Sequence, residues 1–578
     1  MKELTQSLTQ NKYQFNEENW YDKYHDEHEA RGSHRAFLKA HVSHTSQEKR
    51  DQFNNYSEYL LSVLGFAAGF GSVWRFPYLI YKNGGGVFLI PYFLILILVG
   101  IPSFYFETAI GQMFQRSPLQ CFEIANRKWK GLGMFGILLT LNMSTYYNLI
   151  LAYSLYYLWE SFKYPLPWRI DDIYTSPEPW NTEYFYKDVL RSSSGLETIG
   201  SIVWPLFFCY IISQFIVYLC ICKGVTVSGK VSVITASSPY ILLFILMIRG
   251  LFLDGAMKGL SYLFSPDWSK LYESQVWVDA ANQVIFQVST GCGVLIVFGS
   301  YRPMNQEIIK TSYYIPIITV CCGLLASIVI FTFMGYMSNV TNIDINDMPL
   351  KGPDLAFIVF PAVLTQMPFS NILSIVFFMV MIFLGIDTQF GQIDALATTI
   401  EDEFHGKNIE YKGFSINMSY VRAGVCIIVS LSAFLFCSQA GFFYLDFVDN
   451  YSVSINMFVC IITEIYFYFY IQNWDEIEEK IKLNIGEQTP TYMIFLMKYI
   501  TPIICFILSI IAIYLQILDI FDQKWWVAIL GWAITLYPYY SIYYYYSKYK
   551  DTNETPKSNP TNCTELNVLK NSLNELQS

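Results

Sequence analysis

The chain has 578 residues, of which 53% are hydrophobic and only 15% charged, with a formal net charge of −10 and a mean hydropathy of +0.32. Soluble domains carry about 25% charged residues, so this composition excludes an ordinary soluble domain and points to a polytopic membrane protein. The excess of acid and the lack of a basic stripe exclude nucleic acid as a partner.

In chain order, the polar and mixed-charge stretch 1–55 has no apolar core of the kind a cleavable signal needs. It is expected to be a cytoplasmic N-terminal segment, with the first membrane helix starting insertion. Twelve apolar windows follow, near 58–80, 86–113, 131–162, 199–221, 232–253, 277–300, 313–338, 371–403, 418–436, 443–471, 491–516 and 525–547. Each approaches the roughly 20 apolar residues that a spanning helix requires, and together they predict a twelve-helix domain over 56–547. The Asn/Thr/Ser/Pro-rich remainder, 548–578, is expected to be a disordered cytoplasmic tail. Arg127, Lys128, Lys130, Lys223, Lys230, Arg302, Lys310, Lys407, Lys412, Lys480 and Lys482 fall in or at the edge of loops after even-numbered windows. The long segments 163–198 and 339–370 are acidic or mixed and contain Trp and Pro. The positive-inside rule then puts both termini on the cytoplasmic side. Within 339–370, the stretch Gly352 to Val363 is apolar but too short to span; it reads as a re-entrant or lid-like hairpin, with an outer-surface helix as the alternative. Asn339-Val340-Thr341 is a glycosylation sequon at the start of that loop. The twelve cysteines include no C-x-x-C pair, and those in apolar spans read as packing residues.

Two stretches interrupt the helical pattern. Gly65 to Pro77 reads GFAAGFGSVWRFP and puts Gly65, Gly69, Gly71 and Arg75 in or beside the first apolar run. Phe286 to Gly293 reads FQVSTGCG and ends in Gly291 and Gly293, midway through the sixth. Gly65-xxx-Gly69 by itself also reads as a small-residue packing face. Its recurrence, each time in the first of five spans, points to unwound segments whose freed carbonyls and amides line a midplane cavity. Asp387 lies alone in an apolar run, where a carboxylate is costly unless it is paired or holds an ion. No nucleotide-binding glycine loop and no nucleophile–base arrangement is present, so no enzyme activity is expected.

The segments GSVWRFPYLIYKNGGGVFLIPY (71–92), GIPSFYFETAIGQ (100–112), STYYNLILAYSLYYL (144–158), GCGVLIVFGSY (291–301), GPDLAFIVFPAV and FLGIDTQF (383–390) carry a family resemblance. Over about residues 50–545 the chain resembles the neurotransmitter:sodium symporters. The resemblance implies an all-α polytopic membrane protein of twelve transmembrane helices, a LeuT-like 5+5 inverted repeat with broken helices 1 and 6. It implies sodium-coupled secondary active symport of a small zwitterion, a neutral amino acid, by alternating access across the plasma membrane. The alternative is a receptor-like or non-transporting homologue that keeps substrate contacts while its ion coupling has decayed.

The same resemblance assigns residues. One sodium site takes backbone carbonyls of Gly65, Ala68 and Leu384 with the side chains of Asp387 and Thr388, an all-oxygen set suited to a hard cation. The other involves Ala67, Ser72, Gln287 and Thr319, where the family has Asn, Ser or Thr, and Asn at the last three positions. Either the Gln287 amide oxygen reaches the place of the missing Asn oxygen, or its nitrogen takes the place of the cation. Of the family's chloride ligands, Tyr92 and Gln283 are kept, while Gln287, Thr319 and Gly323 stand at the other three positions, which implies weak or absent chloride dependence. The substrate carboxylate is expected against the amides of Phe70 and Gly71 and the Tyr147 hydroxyl, with Gly69 leaving room for it. The substrate ammonium is expected against carbonyls of Ala67, Phe286, Gln287 and Ser289, and the substrate side chain among Met143, Cys292, Thr388 and Gln392. Arg75 and Asp449, steadied by Gln283, match the outer gate, with Tyr147 and Phe286 beneath as an aromatic lid. Arg50 and Asp402, with Tyr301 nearby, match the inner gate.

Overall fold

Long apolar runs wind into helices because the hydrocarbon core offers backbone groups no partner outside the segment. The computed structural model describes residues 50–169, 182–348, 353–404, 409–411, 414–416, 418–520 and 524–550. The expectations for the N-terminal segment before residue 50, the tail after residue 550 and the middle of the 163–198 loop lie outside the described residues. The chain opens with α1 (Tyr56–Ala67) and α2 (Gly71–Lys82), bent by 52° at the break between them. There follow α3 (Gly85–Phe114), α4 (Arg127–Glu160), α5 (Trp204–Ile221) and α6 (Val225–Leu251). The pair α7 (Ser274–Val288) and α8 (Val294–Ser300) precedes α9 (Ile309–Thr341) and the short α10 (Leu355–Thr365). The last elements are α11 (Ser370–Glu403), α12 (Met418–Phe436), α13 (Gly441–Ile471), α14 (Thr491–Leu518) and α15 (Trp525–Tyr549).

Among the described residues, nine helices are long and apolar enough to cross a membrane, or ten if α1 and α2 form one span. The difference from twelve windows has two physical sources. The sixth window is divided into helices of 15 and 7 residues, neither of which spans alone. The twelfth, α15, has 25 residues but is loaded with tyrosines from Tyr537 to Tyr549, whose hydroxyls lower its hydropathy. An antiparallel two-stranded pairing between α11 and α12, Ile409–Tyr411 with Phe414–Ile416, is a departure from an all-α chain.

α11 is the central post. It packs against α4, α6 and α1, and Phe378 stacks on Tyr157 of α4 with centroids 4.9 Å apart. α10 is neither a surface helix nor a free flap. Leu355 to Leu364 are buried, Tyr157 donates to the Phe357 carbonyl at 2.8 Å, and Phe360 stacks on Phe377 of α11 at 4.4 Å. Asn339 stands in the last turn of α9 rather than at the start of a loop, which begins after Thr341. A backbone seam joins the loop before α5 to the segment entering α13. Ser193 N–H donates to Gln439 O at 3.0 Å, Gln439 N–H to Ser201 O at 3.2 Å and Val203 N–H to Cys437 O at 2.8 Å.

Candidate functional site

Both glycine-marked stretches leave α-helical geometry. α1 ends at Ala67, Ala68 has φ −84° and ψ 44°, and α2 restarts at Gly71 with a wide turn. Between α7 and α8, Ser289 (φ 62°), Gly291 (φ 76°) and Gly293 (φ 76°) are all left-handed, which no right-handed helix accommodates. The freed backbone groups are taken up by neighbouring helices. Glu107 of α3 accepts from the Gly291 amide at 2.5 Å, and Thr140 of α4 donates to the Cys292 carbonyl at 2.7 Å. Neither residue stood out in the sequence reading, although a lone carboxylate inside the apolar run 100–112 was a usable signal. Gly291→Ala is expected to destabilise the protein by about 1–3 kcal/mol, read as a lower melting temperature, because it forces a left-handed side chain. The added Cβ would also sit 2.8 Å from the Met457 carbonyl.

A cavity lies between the two breaks. Its wall is formed by Phe66, Ala67, Gly69, Gly71, Met143, Tyr147, Phe286, Gln287, Ser289, Cys292, Thr388 and Gln392. Its free volume, about 10 Å³, is close to that of one water-sized sphere. Phe70 is not on this wall. Its amide donates to the Tyr147 hydroxyl oxygen at 3.0 Å, which leaves the hydroxyl proton available to another acceptor. Phe286 roofs the cavity, and the Arg75 guanidinium lies 4.9 Å above its ring. Arg75 also pairs with Asp449 at 3.4 Å, whose other oxygen accepts from Tyr146 at 2.8 Å. Outside this lid lies a vestibule of about 210 Å³ that contains the Lys82–Asp279 pair.

One corner of the site holds a buried carboxylate beside the opened end of α1. Asp387 is fully buried. Its Oδ1 accepts from Thr235 of α6 at 2.5 Å, while its Oδ2 is buried with no hydrogen-bond partner. Any Cβ at position 65 would overlap that oxygen, so Gly65 lets the carboxylate close on the unwinding end of α1. Thr388 donates to the Phe66 carbonyl at 2.9 Å, and its hydroxyl oxygen also faces the Tyr147 hydroxyl. A buried carboxylate oxygen without a donor beside an opened helix end fits a hard monovalent cation, with Gly65, Ala68, Leu384, Asp387 and Thr388 as the residues that would hold it.

The other proposed cation position differs from expectation. The Gln287 amide oxygen accepts from the Tyr92 hydroxyl at 2.8 Å and from Gln283 Nε2 at 3.1 Å. Its nitrogen donates to the Thr319 carbonyl at 3.0 Å. A carbonyl oxygen has two lone pairs, and Tyr92 and Gln283 engage both of those on Gln287 Oε1. Ser72 Oγ is buried without a partner, and the Thr319 hydroxyl is turned back to Ile315 O at 2.8 Å. Gln283 does not steady Arg75. Its nitrogen donates to Gly71 O at 2.9 Å and to Gln287 Oε1 at 3.1 Å, and its oxygen, the atom that would accept from a guanidinium, has no partner.

At the end of the molecule away from the Arg75 lid, Tyr301 donates to Asp394 at 2.8 Å, and Arg422 pairs with Asp394 at 3.3 Å and Glu401 at 3.8 Å. Asp402 accepts from the Ser117 amide at 2.6 Å. Arg50 lies outside the compact unit Asp51–Thr555, so its pairing with Asp402 stays a proposal. Asp394 and Arg422 were not singled out beforehand; each is a charge bordering an apolar run.

The comparisons agree with this geometry. The model described as "Sodium:neurotransmitter symporter family" matches residues 50–551. A Xenopus laevis protein named sodium- and chloride-dependent glycine transporter 2 is 32% identical over 80% of this chain. A Torpedo marmorata creatine transporter is 32% identical over 84%, and the Bos taurus sodium- and chloride-dependent creatine transporter 1 is 31% identical over 88%. The chain spans 64% of the length of the frog protein and 83% and 84% of the other two. With a family match over nearly its whole described length and sodium as the ion its buried carboxylate corner fits, the chain belongs to the sodium:neurotransmitter symporter family.

Proposed function

We propose that the protein is a sodium-coupled symporter of a small zwitterionic solute, working by alternating access through twelve spans arranged as two inverted groups of five plus two. In this reading α1–α2 and α7–α8 are broken spans 1 and 6, and both termini face the cytoplasm. The observation that carries it is the partnerless Asp387 oxygen beside the opened end of α1, adjoining a closed cavity between two helix breaks. Such breaks in lipid are tolerated where they line a binding cavity. Glycine and creatine, named for the relatives, each combine a carboxylate with a cationic nitrogen. Gly69 adds no side chain where the carboxylate would lie, which favours solutes of that kind. Gln392 is buried with its side-chain oxygen unpartnered at the cavity, which favours a solute whose far end carries an N–H or O–H donor. The lid of Arg75, Asp449 and Phe286 and the inner cluster around Tyr301 and Asp394 stand at opposite mouths, as alternating access requires.

Uptake of radiolabelled glycine, creatine and a panel of neutral amino acids into proteoliposomes tests the reading. Accumulation above the outside concentration, driven by an inward sodium gradient, is expected for at least one solute. Saturable binding without accumulation for every solute would reject it in favour of a receptor-like homologue. Because Gln287 leaves a single built cation corner, sodium activation of uptake is expected to follow a Hill slope near one. A slope near two contradicts that count.

A further inference from the structure

Between α3, α7 and α9 lies a buried polar cluster of Tyr92, Gln283, Gln287 and Thr319, each no more than 1% exposed. Two donors from different turns, the Tyr92 hydroxyl and Gln283 Nε2, converge on one point at 2.8 and 3.1 Å. That point is the side-chain oxygen of Gln287. Convergent buried donors with nothing to accept them form a place that demands an acceptor. The Xenopus laevis and Bos taurus relatives carry chloride dependence in their names. In this chain the demand is already met from within.

The surroundings are shaped to hold that amide. Its nitrogen is tied to the Thr319 carbonyl at 3.0 Å. One turn along α9, Gly323 leaves the space: a Cβ there would lie 3.1 Å from Gln287 Nε2 and 2.8 Å from Phe76 Cδ1. A chloride ion at the same point would have to displace the Gln287 oxygen from both donors. It would also bring a full charge into a cluster whose four side chains carry none. The residues present do not fit an anion.

We propose that the Gln287 side-chain carbonyl is a built-in acceptor standing where a bound anion would otherwise be required, so that this protein is stable and works without chloride. For its transport arm this rests on the symporter reading; for its stability arm it does not.

The test compares the full-length purified protein in sodium chloride and in sodium gluconate of equal ionic strength, by thermal unfolding and by proteoliposome uptake. The wild type is expected to unfold at the same temperature in both, within about 1 °C, and to accumulate solute equally. Gln287→Ser removes the internal acceptor and exposes both donors, and Gln287→Ser/Gly323→Ser refills the vacated volume with a hydroxyl. These variants are expected to be less stable in gluconate and to recover by at least about 2 °C in chloride. A wild type that is stabilised by chloride, or whose uptake falls tenfold or more in gluconate, overturns the proposal. So does a folded Gln287→Ser that is indifferent to chloride. If neither variant folds, the wild-type arm decides. Failure of sodium-driven accumulation in both anions would instead reject the carrier reading and leave the unfolding comparison to decide this one.

Discussion

Asp387→Asn is expected to abolish sodium-driven accumulation and the stabilisation of the purified protein by sodium. The substitution keeps the volume, so packing against Gly65 survives. An amide oxygen can still accept from Thr235, but the charge is gone. At an effective dielectric constant near 20, a unit charge close to a bound ion is worth about 4 kcal/mol, or roughly a thousandfold in affinity. A site loaded to 100 times its dissociation constant stabilises a protein by about 2.7 kcal/mol, and nearly all of this is lost when affinity falls by that factor. Thermal unfolding in sodium against N-methyl-glucamine chloride measures it directly and needs no identified substrate. The wild type should shift and the variant should not. A variant that still responds to sodium in the wild-type range would place the cation elsewhere and remove the main support for coupling. Asp387→Ala is expected to behave alike for sodium while also losing packing.

The second large effect is expected at the contact between the first break and α4. Tyr147→Phe keeps the ring, which stacks near Phe70 with centroids 5.0 Å apart, but leaves the Phe70 amide without its acceptor. A buried donor left unpaired costs about 1–3 kcal/mol, and the lost hydroxyl proton removes one donor from the cavity wall. Uptake, as kcat/KM, should fall by roughly 10- to 100-fold. Gly69→Ala should be more severe. Its Cβ would meet Tyr147 Oη at 2.5 Å and overlap Thr388 Oγ1 as well, so it strains the same hydrogen bond and the Thr388 hydroxyl together. Parallel measurement of sodium-dependent unfolding separates the two. Tyr147→Phe should keep the sodium response, whereas Gly69→Ala should weaken it. Uptake by Tyr147→Phe within about threefold of wild type would show that the hydroxyl does not touch the solute.

How much of this was legible beforehand depends on the range of the interactions involved. The runs that became α3, α4, α9 and α11 are apolar over lengths a bilayer dictates, and their composition alone announces them. The interruption at Gly291 and Gly293 was legible because glycine marks left-handed backbone. The same conformation at Ser289 was not, since nothing local to a serine announces it. Asp387 was conspicuous as a lone charge, but its partner Thr235 is 152 positions away on another helix, and only packing brings them together. Gln287 shows the limit most clearly. Its presence was evident, yet whether its oxygen or its nitrogen faced the cation position depended on Tyr92 and Gln283 together. Those two donors converge on its oxygen, and its nitrogen turns to the Thr319 carbonyl. α15 is harder to read: its 25 residues are long enough for a span, while its tyrosines dilute the apolar signal.

The seam that joins residues 193–203 to Gln439 and Cys437 runs straight into α13, the helix that carries Asp449. In the proposed topology this strip faces outward, and a binder raised against it would grip the proposed gate by its backbone rather than by its charge. An antibody fragment seated there should lock the carrier in one posture and slow turnover while leaving solute affinity nearly intact, a route to inhibition that does not compete with the cargo.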